Sequence, residues 1–370
     1  MSLLPDNDRI LLGPGPSLTS PRVMRAMAAP TLSHLDPLMM RLLDDVRERL
    51  ARCFGAPGGN AKSFAFAVSG TGTSGMETCV ANLVQEGTRA TVVVTGYFGD
   101  RLAQMCERYG ATVTRLDVEW GRACDPEVLR RQLKSNGADV VAMVHAETST
   151  GVLNPVERMA AIAREHGALT IVDAVTSFGG HRLDVGAWGI DACYSCTQKC
   201  LGGPSGLAPV VFGPRALEKR VKCRSFYFDL SLLEDYWLRR KYHHTMSSTM
   251  VYALYEALAI VEEEGLEARW ARHERNHTLL IEKLATLGLG VLPREGERLW
   301  TLNAVKVPDG VDEAAVRKHL LDEFNIEIGA GLGPLAGIIW RVGLMGASSS
   351  PRLIVLLHGA LESAFAKAHA

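Results

Sequence analysis

The apolar positions of the chain alternate between strand-like and helix-like spacing. Short runs at Thr91–Val94, Val140–Val144 and Leu169–Val172 are apolar or β-branched without alternation, the pattern of strands covered on both faces of a parallel sheet. Helical stretches with clear punctuation lie between them. Asp125-Pro126 supplies an N-cap followed by proline, which predicts a helix over Glu127–Leu133. Pro155 opens another, with Val156, Met159, Ile162 and Ala163 on one face, and Gly167 ends it. This alternation from Gly13 to about Phe212 predicts right-handed crossovers and a mostly parallel sheet. From Ser248 to Leu287 the pattern is nearly all helix, broken near Gly265. The tail then predicts a strand over Leu299–Val307, a helix over Glu313–Phe324, strands at Ile326–Ile328 and Ile339–Val342, and a last helix after Ser350-Pro351. The expected architecture is α/β with a smaller C-terminal α+β unit.

Length and composition narrow the function. At 370 residues and roughly 150 per domain the chain has room for about two domains. Hydrophobic residues make up 47% and charged residues 22%, which excludes disorder, collagen and a coiled-coil rod. Lys+Arg 40 against Asp+Glu 41 leaves a net charge of −1, so neither nucleic acid nor a membrane surface is an expected partner. No apolar run approaches the ~18 residues of a membrane span. The first residues lack the features of a signal peptide, and the Ala-His-Ala end is not a peroxisomal address. Cysteines in apolar surroundings, such as Cys53, Cys79, Cys106 and Cys193, suit a reducing cytoplasm, the expected location.

Several segments carry candidate chemistry. In Ser69-Gly-Thr-Gly-Thr-Ser-Gly-Met-Glu77, small residues would let backbone N–H groups approach an anion. Ser74 and Glu77 form a capping-box pattern, so a helix is expected to start there. An ordinary turn is the alternative. The segment is not a Walker A loop, and no acid ends a strand where a dinucleotide would require one. Asp173 follows a buried strand and so sits at the carboxyl edge of the sheet, where α/β ligands bind. It serves equally well as a helix cap. A strand is expected to run into Lys199 and then open into Gly202, Gly203, Pro204 and Gly206, a context that suits a Schiff-base lysine as well as a surface one. Zinc at Cys193, Cys196 and Cys200 is disfavoured, because Cys193 and Cys196 fall on opposite faces of a strand and no histidine is near. No metal site is expected. Tyr242-His-His-Thr245 precedes a helix. Arg341, alone within an apolar strand, needs an anion, either a bidentate carboxylate or a structural partner.

Taken together, these segments resemble the fold-type I, class V pyridoxal-phosphate aminotransferases, nearest the alanine–glyoxylate and serine–pyruvate group. The landmarks run in order: Gly13-Pro-Gly-Pro16, His34-Leu-Asp-Pro37, Glu147-Thr-Ser-Thr-Gly-Val152, Val172-Asp-Ala-Val175, Thr197-Gln-Lys199, Tyr242-His-His-Thr245 and Gly331-Leu-Gly-Pro334. The resemblance implies an N-terminal arm (1–12), a large cofactor-binding domain (13–264) on a mostly parallel seven-stranded sheet, and a small C-terminal domain (265–370). It implies pyridoxal 5'-phosphate as cofactor, a homodimer, and ping-pong transamination from alanine or serine to glyoxylate or pyruvate. Lys199 would form the internal aldimine and Asp173 would pair with the ring nitrogen. Val175 and Phe98 would cover the ring faces, and Ser149 would bond the phenolic oxygen. Thr71, Gly72, Thr73 and Gln198 would hold the phosphate, with Tyr242 and Thr245 reaching over from the partner subunit. Arg341 and the backbone at Gly13 and Gly15 would clamp the substrate carboxylate.

Rival activities leave different marks. A desulfurase needs a persulfide-forming cysteine in the C-terminal half, and none follows Cys223. A ureidoglycine–glyoxylate aminotransferase resembles this group but tends to carry Gln at His34 and Asn at Tyr242. Pyridoxamine–pyruvate and aminoethylphosphonate aminotransferases remain alternatives. A non-catalytic binding protein on the same fold is disfavoured by Lys199, Asp173 and Arg341 together.

Overall fold

The computed structural model describes residues 9–368 apart from Pro57, so residues 1–8 of the expected arm lie outside the described residues. The main sheet has seven strands. Across the sheet they run Phe64–Gly70, Gly206–Phe212, Ala192–Tyr194, Leu169–Asp173, Val140–Val144, Arg89–Val94 and Thr112–Asp117. Gly206–Phe212 is antiparallel to both neighbours and the other pairs are parallel. Val140–Val144 and Leu169–Asp173 are buried at every position. Each Val or Leu removed from water there contributes about 1.5–3 kcal/mol.

The crossover helices follow the expected punctuation. Pro126–Asn136 starts at the Asp125 cap, whose side chain accepts from Glu127 N at 3.0 Å. Val156–Glu165 buries Val156, Met159, Ile162 and Ala163. Ser74 and Glu77 do not form the expected capping box. The helix starts at Gly72, with extended Thr71 as its N-cap. Ser74 therefore falls inside the first turn, where its hydroxyl donates to Thr71 O at 2.6 Å. Glu77 accepts from Tyr109 OH instead.

Helices Ser248–Glu264 and Leu266–Thr286 meet at Gly265, whose φ of 78° suits glycine. Beyond them, Leu302–Lys306, Ile339–Gly343 and Gly329–Ala330 form an antiparallel sheet. Helices Glu313–Phe324 and Pro351–Ala368 complete the unit. Its core, including Leu280, Trp340, Val342 and Leu357, is distinct from that of the large sheet. Leu12 belongs to this smaller core, and Ile10–Leu11 pairs in parallel with Ile326–Glu327. The described end of the arm is thus a strand of the small unit. No helix among the described residues is long and apolar enough to cross a membrane.

Candidate active site

Carboxyl ends of the parallel strands deliver the candidate residues to one place. Leu169–Asp173 ends on Asp173, and Phe64–Gly70 leads into the helix Gly72–Leu83. Arg89–Val94 feeds the helix Tyr97–Arg108. The strand Ala192–Tyr194 stops earlier than expected, so Lys199 stands on irregular backbone beyond it. That backbone stays in register through Ser195 N to Pro209 O and Thr197 N to Leu207 O. Thr71, Gly72, Thr73, Phe98, Asp173, Val175, Gln198 and Lys199 line a common cavity of about 230 Å³. Gly72 is required there, because a Cβ at that position would lie 2.8 Å from Val175 Cγ2.

Asp173 is buried, accepting from Val175 N and from Tyr194 OH, each at 2.8 Å. Burial raises its carboxyl to about 7, against these two hydrogen bonds, which lower it. Lys199 donates its amine to Pro14 O. Burial pushes its ammonium below the usual lysine range, and Arg341 adds to the depression. Gly15 favours glycine because its φ is 112°, and a Cβ there would also press on the Lys199 side chain. Ser17 fastens the same segment, donating its hydroxyl to Lys199 O and its N–H to Gln198 O. At Gly13, the carbonyl lies so close to Gly343 that a Cβ there would come within 2.0 Å.

Arg341 is buried, with Nε donating to Ala330 O at 2.7 Å and Nη1 to Thr148 O at 3.5 Å. Desolvation lowers its guanidinium to about 10, opposed by Glu147, so it stays charged at neutral pH. No carboxylate among the described residues forms an ion pair with it.

Ser149 is buried beside the cavity-lining turn at Phe98. Its hydroxyl donates to Glu147 Oε1 at 2.6 Å and accepts from Tyr97 N at 2.9 Å. The hydroxyl thus sits at the turn that carries Phe98. Sequence reasoning missed Glu147, whose carboxylate binds the N–H groups of Phe98, Gly99 and Ser149 and so fixes the turn that carries Phe98. Tyr194 was missed as well, as was Arg101, which lines the cavity. Helical spacing held the signal for Arg101, one turn after Phe98 on the same face. Tyr242 and Thr245 are exposed, Tyr242 by 63%, and neither lines this cavity of their own chain. Between them, His244 bonds Ser69 Oγ at 3.2 Å. Among the described residues no group of side chains has the makings of a metal site.

The sequence pattern of the aminotransferase class-V family matches residues 11–340. The chain belongs to the class V aminotransferases. A solved alanine–glyoxylate aminotransferase from Nostoc sp. superimposes with a TM-score of 0.95 at 43% identity, over 99% of this chain and 97% of that one. The (S)-ureidoglycine–glyoxylate transaminase of Bacillus subtilis is 37% identical over 96% of this chain and 90% of its own length. The alanine–glyoxylate aminotransferase of Drosophila melanogaster is 35% identical over 96% and 92%.

Class V aminotransferases of fold-type I depend on pyridoxal phosphate, and the cavity of this class V enzyme suits that group. Gln198 lines the cavity with its Oε1 buried and unpartnered, and its amide turned over offers Nε2–H donors to an anion. The first turn of the helix Gly72–Leu83 has no side-chain cap, leaving N–H groups for an anion. Asp173 meets no cation at hydrogen-bonding distance among the described residues, as a carboxylate kept for a protonated ring nitrogen should.

Proposed function

We propose that this aminotransferase moves the amino group of a small L-amino acid, alanine or serine, to glyoxylate or pyruvate. The observation that carries this reading is Arg341, a buried, charged guanidinium without a carboxylate of its own, near enough to Lys199 to depress its ammonium. A substrate α-carboxylate would complete it. Glyoxylate is favoured as acceptor, since both the ureidoglycine and the alanine enzymes among the relatives carry it in their names.

Bound pyridoxal phosphate supplies an aldehyde that condenses with primary amines and a ring that takes up the electron pair left at the substrate Cα. The chain's residues do the rest. Lys199, whose ammonium burial disfavours, moves the proton at Cα, a positioned base of the kind that contributes about 10²–10⁴-fold. Asp173 holds a proton on the ring nitrogen. Phe98 and Val175 cover the ring, and Thr71, Gly72, Thr73 and Gln198 receive the phosphate. Tyr242 and Thr245 complete that cup from the partner subunit of a homodimer. Gly13 and Gly15 give the substrate backbone-lined room beside Arg341. Ser149, beside Glu147 and the Tyr97 turn, bonds the phenolic oxygen of the ring. The large domain, 13–264, carries the cofactor and the small one, 265–370, supplies Arg341. The buried thiols suit a cytoplasmic enzyme.

A side-chain carboxylate would need a second cation on the substrate side, and Arg101 is engaged with Thr73 in the cup. The test is kcat/KM for alanine, serine, glutamate and aspartate with glyoxylate and with pyruvate. Alanine or serine should exceed both dicarboxylates by about tenfold or more, because burying an unpaired carboxylate costs several kcal/mol. Glutamate matching alanine would refute the small-substrate reading.

A further inference from the structure

The cup of Thr71, Gly72, Thr73 and Gln198 offers neutral donors only. A phosphate monoester carries about −1.5 to −2 charge at neutral pH, so the charge that balances it must come from elsewhere. Lys199 is a poor candidate, since its amine is turned to Pro14 O and burial favours its neutral form.

Arg101 lines the same cavity from a different element. It rises from the helix Tyr97–Arg108, and its Nη1 donates to Thr73 Oγ1 at 3.0 Å. Its guanidinium lies 5.2 Å from the ring centroids of both Tyr97 and Phe98. The rings hold the planar fork in place, which lowers the entropy lost when it binds. Among the described residues no carboxylate pairs with Arg101. The adjacent acid, Asp100, is committed to Arg115 and Gln104. Arg101 thus reaches the cup with its charge unspent and further N–H donors available.

We propose that Arg101 binds the cofactor phosphate, supplying across the cavity the positive charge that the Thr71–Thr73 segment lacks. The inference rests on the reading of that segment as the phosphate cup and extends it. In this arrangement the helix that presents Phe98 to the ring also presents the cation to the phosphate.

The test compares pyridoxal phosphate with pyridoxal, which lacks the phosphate. Dissociation constants of both are measured by absorbance titration of full-length protein stripped of cofactor, for wild type, Arg101→Gln and Arg101→Lys. Wild type should prefer the phosphorylated compound strongly. Arg101→Gln should cut that preference by about tenfold or more, the range of a charge-assisted hydrogen bond, while pyridoxal binding stays unchanged. Arg101→Lys should recover part of it. An unchanged preference in Arg101→Gln overturns the proposal, as does equal weakening of both compounds, which would mean that Arg101 acts only through the Phe98 turn. A wild type with no preference overturns the cup reading itself. Should Arg101→Gln not fold, Arg101→Met reads the same preference without the charge.

Discussion

Asp173 and Lys199 both experience burial as their largest electrostatic influence, which raises the carboxyl and lowers the ammonium and so favours the neutral form of each. The Asp173 carboxyl is raised from 3.8 to about 7. In the cofactor-free protein its contribution to stability is therefore full at low pH and is lost as pH rises through that interval, which corresponds to at most roughly 4 kcal/mol. Asp173→Asn removes the titration. The stability difference between the variant and wild type, from urea unfolding of cofactor-free protein, should shift in the variant's favour across this range. A pH-independent difference would show that Asp173 does not titrate there. In the holoenzyme the same change should slow proton removal from the substrate Cα by orders of magnitude. Arg341→Lys tests geometry rather than charge. One ammonium cannot reproduce a two-point fork, so kcat/KM for alanine should fall by about tenfold or more, and a loss below about twofold would argue against a bidentate clamp. Asp173 and Arg341 stood out in the sequence because each is a charged residue set against apolar strand pattern, and Lys199 because glycines and a proline follow it. Glu147 and Tyr194 were not, because the donors and acceptors they satisfy come from segments distant in the chain.

At the scale of elements, the site leans on a helix that contributes nothing to its chemistry. Arg269, buried in Leu266–Thr286, donates to Gly179 O at 2.9 Å, to Cys200 O at 2.6 Å and to Glu264 at 2.6 Å. It thereby holds the backbone just past Lys199. Arg269→Ala leaves two carbonyls and a carboxylate short of a partner and should cost about 2–4 kcal/mol, measured by urea unfolding of the holoenzyme. A loss under about 0.5 kcal/mol would make this brace incidental. The sequence marked the helix break at Gly265 and the helix Glu313–Phe324, where turn residues and periodicity agree. It misplaced the start at Gly72 because a capping-box pattern has the same spacing as two first-turn residues with other partners. It overran the strand at Tyr194 because extended pairing continues in part past it, through Ser195 N to Pro209 O and Thr197 N to Leu207 O, without a regular ladder.

For the whole molecule, the exposed Tyr242 and Thr245 lead to a test in trans. Lys199→Ala and a Tyr242→Phe/Thr245→Val double variant, each nearly inactive alone, should regain part of the activity when mixed under subunit exchange. Heterodimers that form without recovering activity would rule out a contribution across the interface. The seven-stranded sheet and its small companion were foreshadowed by the alternation of patterns, whereas the seating of Ile10–Leu12 in the small core was not, since a short apolar stretch carries no sign of its partner. That seating has a mechanical consequence. The small unit is tethered to the large one at Gly265 and again at the N-terminal strap, where Leu12 is packed in one core and Ser17 is bonded to Gln198 and Lys199 in the other. The two units are also stitched together between these ends, where Thr301 donates its hydroxyl to Thr176 O at 2.6 Å, Leu299 N donates to Gly151 O and Arg122 pairs with Glu297. Arg341 is thus carried on a unit fastened along a whole seam, and the strap that passes Lys199 at Pro14 closes one end of it.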